Sequence, residues 1–218
     1  MNSNVRSSLL SLALAAAAAP LAARAGEPMD QIRQTTDQVV AVVQDPALKG
    51  DDKAQERQRL MRKAVDARFD WTTMAKSAMG KNWHGLTEAQ RQEFSSLFSD
   101  LIEKTYMSRI ESYSGEKINY KGDKVDGKYG EVSVVIVTLR GTDIPVSYRV
   151  LKKGAEWLVY DVNIEGVSLV NNYRSQIASI LNSSNFDGLV ARLKTKIAEK
   201  DAPPAKSADK AQKAKDSI

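Results

Sequence analysis

The sequence predicts an α+β domain: a twisted antiparallel sheet of about four strands with helices before and after it. Three observations predict it. Glu131 to Val162 reads as strand, tight turn, strand, tight turn, strand. Its connections are too short for parallel crossovers, which need a dozen or more residues. Apolar residues at helical spacing flank this block on both sides.

In chain order, residues 1–25 come first. Leu9 to Ala19 is almost wholly apolar, Pro20 breaks the run, and Ala23-Arg-Ala25 fits a small-x-small cleavage site. This predicts a secretory signal peptide cut before Gly26. The run is shorter than the roughly 20 residues of a membrane-spanning helix. Asp30 is placed to cap a helix carrying Ile32, Val39, Val40 and Val43, and Asp45-Pro46 ends it. Asp51-Asp52 open a charged helix with Leu60, Met61, Ala64 and Val65 on one stripe. Asp70 caps a short helix from Trp71 to Met79, and Gly80 stops it. Asn82 to Gly85 reads as a loop. Thr87-Glu-Ala-Gln90 is a capping box. It opens the longest helix, to about Tyr113, with a broad stripe from Phe94 through Phe98, Leu101 and Tyr106.

Ile118 and Tyr120 alternate with polar residues, and Asp126-Gly127 is a hairpin turn signal. Glu131 to Leu139 is β-branched and apolar at both parities from Val134 onward, which predicts cover on both faces. Arg140 to Asp143 turns the chain. Ile144, Val146, Tyr148 and Val150 then alternate with Pro145, Ser147 and Arg149. Trp157 to Val162 is the last strand. Ser168 caps a helix carrying Leu169, Val170, Tyr173, Ile177 and Ile180, and a final amphipathic helix carries Phe186 to Ile197. The segment 26–200 thus suits one domain. Residues 201–218 are Ala, Lys, Pro, Asp and Ser without periodicity, which predicts a disordered lysine-rich tail.

Composition narrows the function. The chain has no cysteine, so an exported form has neither disulfides nor an N-terminal lipidated cysteine. Losing Arg6 and Arg24 with the signal leaves a net charge of +3 from the precursor's +5. That modest excess suits ordinary solubility, and also transient contact with anionic membrane surfaces. No basic stripe interleaves with aromatics, which argues against nucleic acid. The single histidine, His84, has no Gly-x-Ser-x-Gly elbow and no ligand spacing to work with. No catalytic residue, metal or cofactor is expected. Asp161 is the one acid of interest. By strand parity it shares a face with Trp157 and Val159, where desolvation would raise its pKa and make it a general base of a dehydratase or isomerase. The other reading ties it to a backbone group, a tyrosine or an arginine such as Arg174 at the strand end.

Phe69-Asp70, Gly80, Trp83, Leu86-Thr-Glu-Ala-Gln90, Phe94, Phe98 and Tyr106 form one set of marks. Pro145-Val-Ser-Tyr148, Trp157-Leu-Val-Tyr-Asp-Val162, Ile164-Glu-Gly-Val-Ser-Leu-Val170 and Tyr173-Arg174 form another. In this order they resemble the MlaC or toluene-tolerance family, periplasmic phospholipid-binding auxiliary proteins of an ABC transport system. The resemblance covers roughly residues 29–200.

It implies a cone-shaped domain similar to the nuclear transport factor fold, with an apolar pocket for acyl chains. It implies a glycerophospholipid carrier between outer and inner membranes, in the service of outer-membrane lipid asymmetry. Its partners would be an outer-membrane lipoprotein–porin complex and an inner-membrane ABC transporter with a substrate-binding ring. A related branch is linked to hopanoids, so another lipid is an alternative cargo. The residues expected to line the cavity are Phe94, Phe98, Leu101 and Tyr106 on the long helix. On the sheet they are Val134, Ile136, Val146, Tyr148, Val150, Trp157 and Val159. On the helix after the sheet they are Leu169, Tyr173 and Ile177. The headgroup would stay at the mouth in water, and release would need the helices to part from the sheet.

Overall fold

The computed structural model describes residues 28–201. The expected signal peptide and the tail from Ala202 onward lie outside the described residues. Helix α1 (Pro28–Gln44) begins with Pro28, whose missing N–H costs nothing at a helix start. Asp30 therefore lies inside the first turn, where its charge suits the helix dipole, and is not the cap. Asp45 instead caps a 3-10 turn at Pro46–Leu48, accepting from Ala47 N at 2.8 Å. A second 3-10 turn (Asp51–Lys53) leads into α2 (Ala54–Asp66). Of the α2 stripe only Met61 is buried.

Helix α3 (Trp71–Met79) has the expected Asp70 cap and a Gly80 stop at φ +59°. Gly80–Gly85 is a 3-10 helix, not a plain loop. Both halves of the Thr87/Gln90 capping box form, and α4 runs Glu88–Glu111. The strands are β1 (Lys117–Asp126), β2 (Tyr129–Val137), β3 (Asp143–Lys153), β4 (Glu156–Ile164) and a two-residue β5 (Val167–Ser168). Then come α5 (Leu169–Ser183) and α6 (Phe186–Asp201).

The five strands form one antiparallel meander in the order β1-β2-β3-β4-β5, one short strand more than expected. The β4–β5 turn places Glu165 at φ +51° and Gly166 at φ +84°, the twist that suits a two-residue hairpin. The outer edge of β4 is paired twice. β5 takes Asn163 and Ile164, and Phe69 bridges Val159 through Asp70 N–Val159 O and Val159 N–Arg68 O, both 2.8 Å.

Two bulges shape the sheet. One falls between Tyr120 and Gly122 on β1. The other lets β3 step from Arg149, opposite Asp161, to Val150, opposite Val159, and leaves Tyr160 extra.

Apolar side chains gather in two clusters. The helical cluster joins α3, α4, α5 and α6 around Phe94, Phe98, Leu101, Tyr173 and Ile177. The sheet cluster joins one face of β1–β4 to Ile32 and Met29 of α1. Phe69 packs against both. The expected cover on both faces of β2 is corrected by the register. Its other face shares rows with polar residues, Lys124, Glu131 and Arg149 in one and Ser133 and Ser147 in the next. Val135 and Val137 on that side are only half-buried.

Candidate functional site: the inner face of the sheet

Register assembles the inner face. Ile118, Ile136 and Ile144 share one row across three strands. Tyr120, Val134, Val146 and Ile164 share the next. Asp123, Val132, Tyr148 and Val162 share a third. Val150, Trp157 and Val159 complete the face toward the β1–β2 hairpin. The β-branched content that makes these strands also paves this face.

Coverage is uneven along it. Val132, Val150, Trp157 and Val159 are buried near the Ile32 end of α1. Ile118, Ile136, Ile144 and Ile164 are only half-buried. They lie toward the β2–β3 and β4–β5 turns, where Leu139 and Val167 are 71% and 59% exposed.

Helix α1 is fixed to the start of β4 by polar bonds. Gln31 Oε1 accepts from Trp157 N at 2.8 Å and from Arg68 Nη1 at 2.6 Å. Gln31 Nε2 donates to Ala155 O at 3.1 Å. The buried Arg68 also reaches Glu156 Oε2 at 2.8 Å, Trp157 O at 3.1 Å and Thr35 Oγ1 at 3.2 Å. α2, packed beside α1, is tied to α4 through Arg57–Glu111 at 3.1 Å and through Arg62 with Asp100, Glu103 and Ser99. The cover over the sheet, α1, is thus held by guanidinium and amide bonds together with Ile32 and Met29.

Three polar side chains interrupt the face. Tyr148 is deep, and burial with the neighbouring Tyr120 pushes its phenol up to about 12. Burial also pushes the Tyr120 phenol up. Tyr120 Oη and Asp123 Oδ2 are buried without a hydrogen-bond partner among the described residues.

The expected lining residues divide. Val134, Ile136, Val146, Tyr148, Val150, Trp157 and Val159 meet on this face. Phe94, Phe98, Leu101, Leu169, Tyr173 and Ile177 fall in the helical cluster, with Tyr106 at its margin. Phe94 stacks on Phe98 at 5.7 Å, and Phe98 meets Tyr173 edge-on at 5.6 Å, so these groups are satisfied by one another. Ile118, Tyr120, Ile144, Val162 and Ile164 share this face and are not among the expected lining residues. Period-two alternation marks the first three. The β4 bulge conceals the last two.

That bulge also moves Asp161. It stands opposite Arg149, on the side away from Trp157 and Val159. Its Oδ2 accepts from Ser168 Oγ at 2.7 Å and its Oδ1 from Val170 N at 3.1 Å, with Arg149 Nη1 3.8 Å away. The carboxylate anchors the start of α5. Arg149, not Arg174, is its cationic neighbour. His84 is exposed, and its carbonyl accepts from Arg91 Nη2 at 3.4 Å.

A meandering antiparallel sheet with one apolar face under a helix, backed by a separate four-helix core, defines the class as α+β with an open sheet. Residues 33–195 match the family model described as MlaC protein, and the chain belongs to that family. It is 28% identical over 120 residues to the intermembrane phospholipid transport system binding protein MlaC of Haemophilus influenzae, covering 53% of this chain and 56% of that protein. It is 26% identical over 102 residues to the toluene tolerance protein ttg2D of Pseudomonas putida, covering 46% and 47%. The chain spans about half the length of these curated relatives. A phospholipid-binding protein from Ralstonia solanacearum, solved in complex with a phospholipid, superposes with a TM-score of 0.74 at 26% identity. That match covers 81% of this chain and all of the other. Among the described residues no helix is long and apolar enough to cross a membrane.

Proposed function

We propose that this chain carries glycerophospholipid through the periplasm between outer and inner membranes, with acyl chains against the inner face of the sheet. Tyr148 is the observation that carries this reading. Its raised phenol marks a deep position, yet its side chain is only half covered. It stands in the middle of the apolar rows, with part of its surface left for a guest to cover. The half-buried Ile118, Ile136, Ile144 and Ile164 extend the same apolar surface toward the turns. The phospholipid named with the Ralstonia structure is a guest of matching chemistry.

The physical need is large. Two acyl chains of about 30 CH₂ groups, at about 0.8 kcal/mol each, make roughly 24 kcal/mol of burial that water cannot supply. A carrier offers that burial in transit. It releases its lipid only where a partner offers comparable burial. The partners we propose are an outer-membrane lipoprotein–porin complex and an inner-membrane ABC transporter with a substrate-binding ring. α1, held over the sheet by polar bonds and by Ile32 and Met29, is the element that moves. The role is carriage, not catalysis, and the engagement of Asp161 at the α5 cap supports this.

Extraction of the purified protein with organic solvent, followed by mass spectrometry, tests the reading. Phospholipid should be recovered, and stripped protein should take it up again from vesicles. A lipid-free preparation that takes up none overturns the proposal. Recovery of a hopanoid in place of phospholipid overturns the assigned cargo.

A further inference from the structure

The inner face carries more hydrogen-bonding capacity than an apolar tail can use. Tyr120 and Tyr148 lie in adjacent rows, on β1 and β3. Tyr120 Oη is buried without a hydrogen bond of good geometry among the described residues; the Thr36 hydroxyl, which itself donates to Ile32 O, is close enough to offset part of the rise that burial gives the Tyr120 phenol. Tyr148 stands between Val132 and Val162 in the row that Asp123 begins, where burial and the nearby Tyr120 push its phenol up to about 12. Both phenols stay protonated at neutral pH and are therefore donors. A buried donor without an acceptor destabilises a fold, so each such atom requires an explanation.

The missing acceptor has to enter with hydrocarbon and be neutral. Asp123 Oδ2 is a buried, unpaired acceptor in the row of Tyr148, and Asp37 bears on Tyr120 from α1. Asp37 and Arg33 both lie on the exposed side of α1 and act on Tyr120 in opposite senses, which leaves the Asp123 carboxylate to oppose an anionic group at this depth. The Arg33 guanidinium, 4.6 Å from the Tyr120 ring centroid, belongs to the exposed side of α1.

We propose that Tyr120 and Tyr148 donate to the ester carbonyls of a diacyl lipid and so fix its glycerol backbone over β1–β3. This deepens the carrier reading and rests on it. The acyl chains then run over Ile136 and Ile144, and the phosphate stays outward, away from Asp123. The phenols set the depth of insertion by recognising the linkage, not the headgroup.

The linkage is what the experiment varies. Protein stripped of lipid is offered vesicles holding equal amounts of a diester phospholipid and its diether analogue, with identical headgroup and chains. Mass spectrometry reads the ratio of the two lipids on the recovered protein. Wild type should enrich the diester about tenfold, the factor that two modest hydrogen bonds supply. Tyr120→Phe and Tyr148→Phe should each lower the ratio, and the double variant should return it to that of the vesicles. Enrichment that survives the double variant, or a wild type that takes both lipids in vesicle proportion, overturns the assignment and leaves the phenols to buried water. Uptake of neither lipid by wild type overturns the carrier reading and the assignment with it. A second measurement uses stripped protein alone. Tyr120→Phe should melt at or above the wild-type temperature, because it removes an unmet donor. A clearly lower melting temperature means the hydroxyl already has a partner, and overturns the assignment.

Discussion

The helical cluster and the sheet cluster are built from the same kinds of side chain but end in different states. Phe94, Phe98, Tyr173 and Ile177 are themselves covered and an aromatic edge meets an aromatic face, with partly buried groups such as Leu97 and Tyr106 packed around them. Across the sheet the buried valines give way to half-covered isoleucines, and polar atoms remain unpaired. Apolar content alone therefore does not mark a binding surface. Incomplete coverage and unmet hydrogen bonds do. One region closes on itself, and the other is the face on which the proposed guest would lie.

The sharpest way to break this contrast is to cut into each region and ask which property fails. Phe98→Ala removes a fully buried ring with two aromatic neighbours, and should cost about 4 kcal/mol in denaturant unfolding. The fraction that stays folded should carry lipid at the wild-type ratio. A Phe98→Ala protein of normal stability with impaired lipid uptake would reverse the roles of the two regions. Gly80→Ala probes the helical side through its backbone. Gly80 holds φ +59° and ψ −132°, a conformation that alanine adopts only under strain, and an added Cβ would lie 3.0 Å from Arg174 Nε. A loss of about 2 kcal/mol is expected, most of it from the backbone, because the Arg174 side chain can swing away.

What was legible in the chain followed the same divide. Asp70 and Gly80 around α3, the Thr87/Gln90 capping box and the Ser168 cap were readable because each is local chemistry within a few residues. The meander was readable because its turns are short. Two things were not. A helical stripe says which face is apolar but not what it meets, so Phe98 and Tyr173 were placed opposite the sheet when they pack on each other. A bulge has no reliable signature, and the extra residue at Tyr160 reversed the parity that made Asp161 look inward. The sheet half of the expected lining shares one face because period-two alternation fixes a face once the register is known.

The two regions are also fastened together, and acid should loosen the fastening. Asp70 caps α3, while its Oδ2 meets Lys153 Nζ of β3 at 2.6 Å. Burial opposes its charge, but the bonds from Lys153 and Thr73 outweigh this and hold its carboxyl below the usual range. The stabilisation is therefore complete above the unfolded carboxylate value of about 3.9. It is lost as pH falls through the lower folded value. Lys153 is half exposed, so the effect is screened and should amount to about 1 kcal/mol. Stability measured against pH should show this acid loss in wild type and a shallower one in Lys153→Met. Equal acid slopes in the two proteins would remove the pair as a fastening.

The smallest change in stability should come with a large change in carriage. Ile136 lies between Ile118 and Ile144 in the half-covered row. Part of its side chain is already uncovered, so Ile136→Ala in stripped protein should cost less than about 1 kcal/mol, well below a core truncation. If acyl chains lie on this row, the missing methyl groups are surface the guest no longer covers. Lipid taken up from vesicles should then fall while the melting temperature of the stripped protein barely moves. The partner measurement is Ile177→Ala on α5, a fully buried residue of the helical cluster. It should lower the melting temperature strongly and leave the lipid-to-folded-protein ratio unchanged. Opposite ranking of the two variants in the two assays is the signature of one closed core and one open face. If both variants shift both readouts in proportion, the apolar interior is a single unit and the division drawn from the two clusters fails.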